Sequence, residues 1–209
     1  PGAVGSTVHA KLQEWVSVKD FGATGDGFTD DAPAISLAFA ASNKVYFPSG
    51  SYKMSSNVTK SSDNIEVDFG NATIKNDSTG NFLFVFGTSG DTPQTTGLTI
   101  SGGNFTQVDS AVATNSSFIY IKAIKDFKIT NVTLNNVSNG GILIEAGAED
   151  GIIDSVTING KSGYSTCRGI WLEGSTASDY AGQLVDTTSI TRNTTAAPVY
   201  AVKNVKITN

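Results

Sequence analysis

Phe127-Lys-Ile129-Thr-Asn-Val132-Thr-Leu134 is answered 24 residues later by Gly151-Ile-Ile153-Asp-Ser-Val156-Thr-Ile158, and this pair decides the fold. Upstream, Val67-Asp-Phe69-Gly-Asn-Ala72-Thr-Ile74 and Leu98-Thr-Ile100-Ser-Gly-Gly103-Asn-Phe105 fill the same pattern. The chain ends on half of another copy, Val205-Lys-Ile207-Thr-Asn209. Each copy reads as two short alternating strands broken by a polar or glycine corner. Taken through Phe69, Ile100, Ile129 and Ile153, the offsets are 31, 29 and 24 residues. A strand-turn-strand unit recurring at that length marks a β-solenoid, whose rungs bury their apolar faces only by stacking. The expected inward columns are Phe69–Ile100–Ile129–Ile153–Ile207 and Ile74–Phe105–Leu134–Ile158, all in parallel.

A third strand per rung is read from Phe82 and Phe84, Ile119 and Ile121, Ile142 and Ile144, and Ile170 and Leu172. Period-two alternation sends these residues inward and their neighbours outward. Three strands per rung give a roughly triangular section with long, flat outer faces suited to extended polymers, polysaccharides first among them. An antiparallel sandwich would need two-residue hairpin loops, and the connections here are mostly too long or misplaced for that.

With 209 residues the chain can bury a sizeable core as one domain. Charged residues make up 16% and glycine 22 positions, a profile of many corners rather than of helical bundles. A net charge of −5 argues against nucleic acid as partner. One cysteine, Cys167, excludes an internal disulfide and any cysteine-based metal cluster. No apolar run is long enough to span a membrane. The chain opens on Pro1 and stops at a corner, which reads as part of a longer protein.

Residues Ser6 to Trp15 read as a short helix with Val8, Leu12 and Trp15 on one stripe; His9 beside it has no catalytic partner at recognisable spacing. In Asp26-Gly-Phe-Thr-Asp30-Asp31 the acids sit ahead of an alanine-rich helix from Ala32 to Ser42, with Pro33 in its first turn. They suit helix capping better than a calcium loop or a phosphate cradle, whose spacings they lack. The helix is expected to cover one end of the solenoid. The many Asn-x-Thr/Ser triplets follow from asparagine at corners and threonine in strands.

Val18-Lys-Asp-Phe-Gly-Ala-Thr-Gly-Asp-Gly-Phe-Thr-Asp-Asp-Ala-Pro-Ala-Ile35 resembles the opening motif of the pectate-lyase-like right-handed β-helix superfamily. The helix before it, Thr7 to Val16, narrows the resemblance to phage tailspike and tail-fibre depolymerases. The resemblance implies an all-β, right-handed parallel β-helix, with residues 1–17 as a neck helix and 18–209 as the first part of the solenoid. It further implies a homotrimer in the virion tail, in contact with other tail proteins. The implied activity is binding and cleavage of capsular or O-antigen polysaccharide on a bacterial host, by hydrolysis or elimination. A non-catalytic carbohydrate-binding or structural spike, and a pectinolytic enzyme, stay open beside it. No cofactor or metal is implied, and no catalytic signature is carried over, because the motif marks fold rather than chemistry.

The sharpest site comes from the residues themselves. Gly141-Ile-Leu-Ile-Glu145 and Gly169-Ile-Trp-Leu-Glu173 align as successive rungs, turning Leu143, Glu145, Trp171 and Glu173 outward. Rungs lie about 4.8 Å apart, so Glu145 and Glu173 are expected as a neighbouring catalytic pair. Trp171 is expected as a flat platform for a sugar ring. The commoner outcome for such a set is a solvated glutamate ladder, with Trp171 packed against a subunit or loop. An excursion from Ser175 to Pro198 carries Asp179, Tyr180, Asp186 and Arg192; Asp179, Tyr180 and Arg192 are candidate substrate contacts.

Overall fold

A computed structural model of the protein describes residues 15–78, 82–90, 92–108, 117–161, 168–173, 180–184 and 205–208. The expected helix at Ser6–Trp15 and residues Cys167, Asp179 and Arg192 lie outside them, apart from Trp15.

The chain winds as a right-handed parallel β-helix. The first rung holds β1 (Val16–Ser17) and β2 (Asp26–Asp30), and the second β3 (Lys44–Tyr46), β4 (Ser51–Met54) and β5 (Val58–Lys60). Next come β6 (Ile65–Asn76) with β7 (Phe82–Gly87), then β8 (Thr95–Gln107) with β9 (Ser117–Lys122). The fifth rung is β10 (Ile124–Thr130), β11 (Thr133–Val137) and β12 (Gly140–Ile144). The sixth is β13 (Ile152–Asp154), β14 (Thr157–Gly160) and β15 (Arg168–Glu173); β16 (Tyr180–Leu184) and β17 (Lys206–Thr208) follow. The first sheet runs β1-β3-β6-β8-β10-β13-β17 and bends through the second strands of each rung; the second sheet runs β5-β7-β9-β12-β15-β16. Among the described strands every pairing is parallel except β15 with β16.

One inward column is Ile74–Phe105–Leu134–Ile158, as expected, with Tyr52 added beneath it. The other differs at one place: Ile100 pairs with Val67, not Phe69, so the column is Val45–Val67–Ile100–Ile129–Ile153–Ile207. The cause is corner length. Seven residues separate the two columns in the lower rungs (Val45 to Tyr52, Val67 to Ile74), but five above (Ile100 to Phe105, Ile129 to Leu134). The longer corner carries an extra aromatic into the core, Phe69 stacked on Phe47 with ring centroids 4.5 Å apart. In the rung above, a Cβ on Gly103 would stand 2.7 Å from the Phe69 Cβ, so only glycine closes over that ring. The shorter corners turn through a left-handed residue: Gly102 (φ 71°), Asn131 (φ 56°) and Ser155 (φ 54°). Glycine and asparagine take that conformation at low cost.

Helix α1 (Ala32–Ala41) closes one end of the core, burying Ala32, Ile35, Ala38 and Phe39. Its last turn is held by Lys60, whose Nζ donates to the Phe39 carbonyl at 2.6 Å; burial lowers the lysine's proton affinity. The acids before the helix divide their work more finely than capping alone. Asp31 occupies the N-cap but is buried, and its carboxylate accepts from Thr24 N, Thr24 Oγ1 and Gly25 N instead. Asp30 accepts from Ala32 N at 3.2 Å and also ties Ser55 through its N–H and its hydroxyl. Burial pushes Asp30 up, but the Ser55 and Ala32 donors and Lys53 outweigh it and hold the carboxyl below its usual range. Asp26 accepts from Phe28 N, Thr29 N and Thr29 Oγ1, each at 2.8 Å; these bonds hold it at about 2. The segment around Asp26 is strand β2, paired in parallel with β4.

Candidate functional site: the outer face of the second sheet

On the second sheet both faces are apolar. Phe84, Ile119, Ile142 and Ile170 point into the core in one register. Between them, Val85–Tyr120–Leu143–Trp171 form an outward column. This column is covered: Val85 and Tyr120 are 7% exposed and Leu143 3%, with Trp171 and Phe82 half-buried against them. Two expectations change here. Phe82 faces this outer cluster, its ring tilted against Tyr120 with centroids 4.2 Å apart, and Leu83 takes the inward place at the strand's start. Leu143 turns outward in register but is covered, because the adjacent rungs' Tyr120 and Trp171 pack in the same cluster.

The polar groups stand one residue further along each strand. Gly87 pairs with Lys122, Ile121 with Ile144 and Ile144 with Leu172, so Gly87, Lys122, Glu145 and Glu173 follow one another from rung to rung. Glu145 is half-exposed, and its N–H bonds the Ile121 carbonyl at 2.8 Å, which extends the β9–β12 ladder to that residue. Its Oε2 accepts from Ser89 Oγ at 3.1 Å, and Ser89 Oγ in turn accepts from Lys122 Nζ at 3.3 Å. The Lys122 ammonium lies 4.6 Å over the Tyr120 ring, a cation–π contact that fixes its position. Carboxylate, hydroxyl, ammonium and aromatic ring thus come together from three successive rungs.

Glu145 and Trp171 are brought to one face as expected. Glu173 lies in β15 beside them in register, and Tyr180 in β16 pairs with Glu173, while Gln183 pairs with Trp171. The side chains of Glu173 and Tyr180 are outside the described residues. Lys122 and Ser89 were not singled out from the sequence. The signal for Lys122 was present: Ile119-Tyr-Ile121-Lys122 aligns with Ile142-Leu-Ile144-Glu145 residue for residue. Ser89 has no repeat position, and only the path of the chain after β7 carries it there.

The first sheet's outer side is different in kind. Lys44 pairs with Glu66 at 2.9 Å, and Thr99 and Lys128 continue that column in solvent. On the second strands, Asn135 Nδ2 donates to Asn104 Oδ1 at 2.6 Å and Asn159 Nδ2 to Asn135 Oδ1 at 2.7 Å. Among the described residues no three His, Cys, Asp or Glu side chains gather as a metal site, and no helix is long and apolar enough to cross a membrane.

A parallel β-helix with a carboxylate-bearing outer face defines a class to which known families can be compared. The chain belongs to the rhamnogalacturonase A/epimerase, pectate lyase-like family, which matches residues 15–209. It is 44% identical to the tail spike protein of an Escherichia phage over 55 residues, 26% of this chain and 7% of that protein. It is 54% identical to alginate lyase 7 of Azotobacter vinelandii over 44 residues, 19% of this chain and 5% of that enzyme. The chain therefore spans a small fraction of the length of these curated relatives. In three dimensions it resembles PfbA, a surface adhesin of Streptococcus pneumoniae, with a TM-score of 0.67 at 22% identity, over 92% of this chain and 47% of that one. That likeness is one of fold.

Proposed function

We propose that this chain is part of a phage tailspike-like protein that binds bacterial capsular or O-antigen polysaccharide and depolymerises it. The observation that carries the reading is the register of β12 with β15: Leu143 lies opposite Trp171 and Ile144 opposite Leu172. It brings Glu145 and Glu173 to neighbouring rungs beside an indole. Rungs are about 4.8 Å apart, close to the roughly 5 Å that a retaining glycosidase needs between its two carboxyl groups. In this reading one glutamate protonates the leaving oxygen and the other attacks or stabilises the sugar. Trp171, Tyr180, Asp179 and Arg192 contact the glycan. The family and the tail spike likeness support a polysaccharide as ligand and the virion tail as location. They also motivate a homotrimer, which sedimentation of the complete protein as a stable monomer would overturn.

A second reading is favoured by two observations: Glu145 is already engaged by Ser89, and Trp171 already packs on the apolar cluster of Val85, Tyr120 and Leu143. Both fit a glycan-binding spike without cleavage. The discriminating experiment is release of reducing ends from host polysaccharide by Glu145→Gln and Glu173→Gln in the complete protein. Catalysis through this pair predicts losses of about 10²–10⁴-fold in either variant with binding retained. Near-normal turnover in both removes the pair.

A further inference from the structure

Resting on the polysaccharide reading, we infer that Lys122 is a substrate-binding residue of the Glu145 site. The Lys122 ammonium and the Glu145 carboxylate form a clamp for one glycan hydroxyl, and Ser89 Oγ takes that hydroxyl's place.

The argument starts from what sits between the two charges. Lys122 and Glu145 occupy equivalent positions on adjacent rungs, yet they make no ion pair; the ion pairs found among the described residues join other lysines and acids. The ammonium, which can only donate, gives a hydrogen to Ser89 Oγ at 3.3 Å, and Ser89 gives its own hydrogen to Glu145 Oε2 at 3.1 Å. A hydroxyl that accepts from a cation and donates to an anion satisfies both at once. A sugar hydroxyl has the same complement of one donor and two acceptor lone pairs.

Two features distinguish this from an ordinary surface network. Lys122 is held against the Tyr120 ring at 4.6 Å, and Tyr120, 7% exposed, is itself packed against Phe82, so the ammonium is positioned by the covered apolar column. Ser89, by contrast, belongs to neither sheet: it is an exposed residue two positions beyond β7. The charges are thus fixed on the rungs and the hydroxyl between them comes from a connecting segment. A glycan running along the solenoid axis past Trp171 would meet Glu145 and Lys122 in sequence.

The test uses the complete protein and an array of purified capsular and O-antigen polysaccharides, with titration of the one that the wild type binds best. A clamp predicts that Ser89→Ala binds that polysaccharide at least as tightly as wild type, by up to about 10-fold, because an internal competitor is gone. Lys122→Met is predicted to weaken binding about 10–100-fold, the range for one hydrogen bond to a charged group. Both variants should show the wild-type circular dichroism spectrum. Weaker binding in a folded Ser89→Ala protein, or unchanged binding in Lys122→Met, overturns the clamp and leaves the polysaccharide reading intact. A wild-type protein that binds no polysaccharide on the array sinks that reading, and the clamp falls with it.

Discussion

The two sheets are wound by the same rungs and share one core, but their outer sides solve different problems. On the first sheet the outward residues are Lys44, Glu66, Thr99 and Lys128 and the asparagines Asn104, Asn135 and Asn159; Lys44 pairs with Glu66, and the asparagines bond one another. On the second sheet they are Val85, Tyr120 and Leu143, withdrawn from water, and the half-buried Trp171, with Lys122 and Glu145 at their margin. A parallel strand buried on both faces reads as a continuous apolar run, and Phe82-Leu-Phe-Val-Phe86 and Phe118-Ile-Tyr-Ile121 are such runs. The difference teaches where a site can be built. Lys122 lies against the Tyr120 ring of a packed apolar column, whereas the polar groups of the first sheet meet mainly one another at its solvent-facing surface.

Three measurements would break or sharpen that contrast. Leu143→Ala should behave as a core truncation despite its outward register, costing about 2–5 kcal/mol in urea unfolding. Asn135→Ala, which removes two ladder hydrogen bonds on the first sheet, should cost about 0.5–1.5 kcal/mol. If the two losses are equal, the faces do not differ in the way described. The smallest effect concerns pH. Asp26 in β2 is held at about 2, below the ordinary 3.8, by N–H donors from Phe28 and Thr29. A lowered folded value means that these bonds contribute above the ordinary value and are lost as pH falls through about 2. Carbon-detected titration of the Asp26 carboxyl should therefore show a midpoint near 2, and Asp26→Asn should flatten the acid limb of stability. A midpoint near 3.8 would show the carboxylate free in solution.

Much of the fold was legible because a solenoid repeats its inward residues at fixed distance from a corner. The Ile100–Ile129–Ile153–Ile207 column was read directly from spacing. Phe69 was misassigned because a shift of two residues preserves the alternation of apolar and polar positions. Val67 and Phe69 are both apolar, and only the seven-residue corner tells them apart. The close approach of Gly151 was equally hidden: a Cβ there would land 1.9 Å from the Phe127 Cζ, so a ring from the rung below fills the glycine's missing volume. At the site, Glu145 and Trp171 were legible as repeat positions. The covering of Leu143 was not, since it depends on large side chains from both neighbouring rungs. Ser89 was not either, because its approach to Glu145 is made across 56 residues by a segment outside the repeat.

The unequal rung lengths have a consequence for how the chain folds. Ile129 pairs with a residue 24 positions ahead, while Ile153 pairs with one 54 positions ahead. Loop-closure entropy grows only with the logarithm of length, so the longer circuit costs about 0.7 kcal/mol more than the shorter. Each new rung is added to an existing edge, and zippering of this kind is insensitive to how much chain is looped out between additions. The stretch of sequence between Ile153 and Ile207 can therefore lengthen at almost no cost in loop-closure entropy. Length can vary at that step of the winding while the inward column beneath it stays the same.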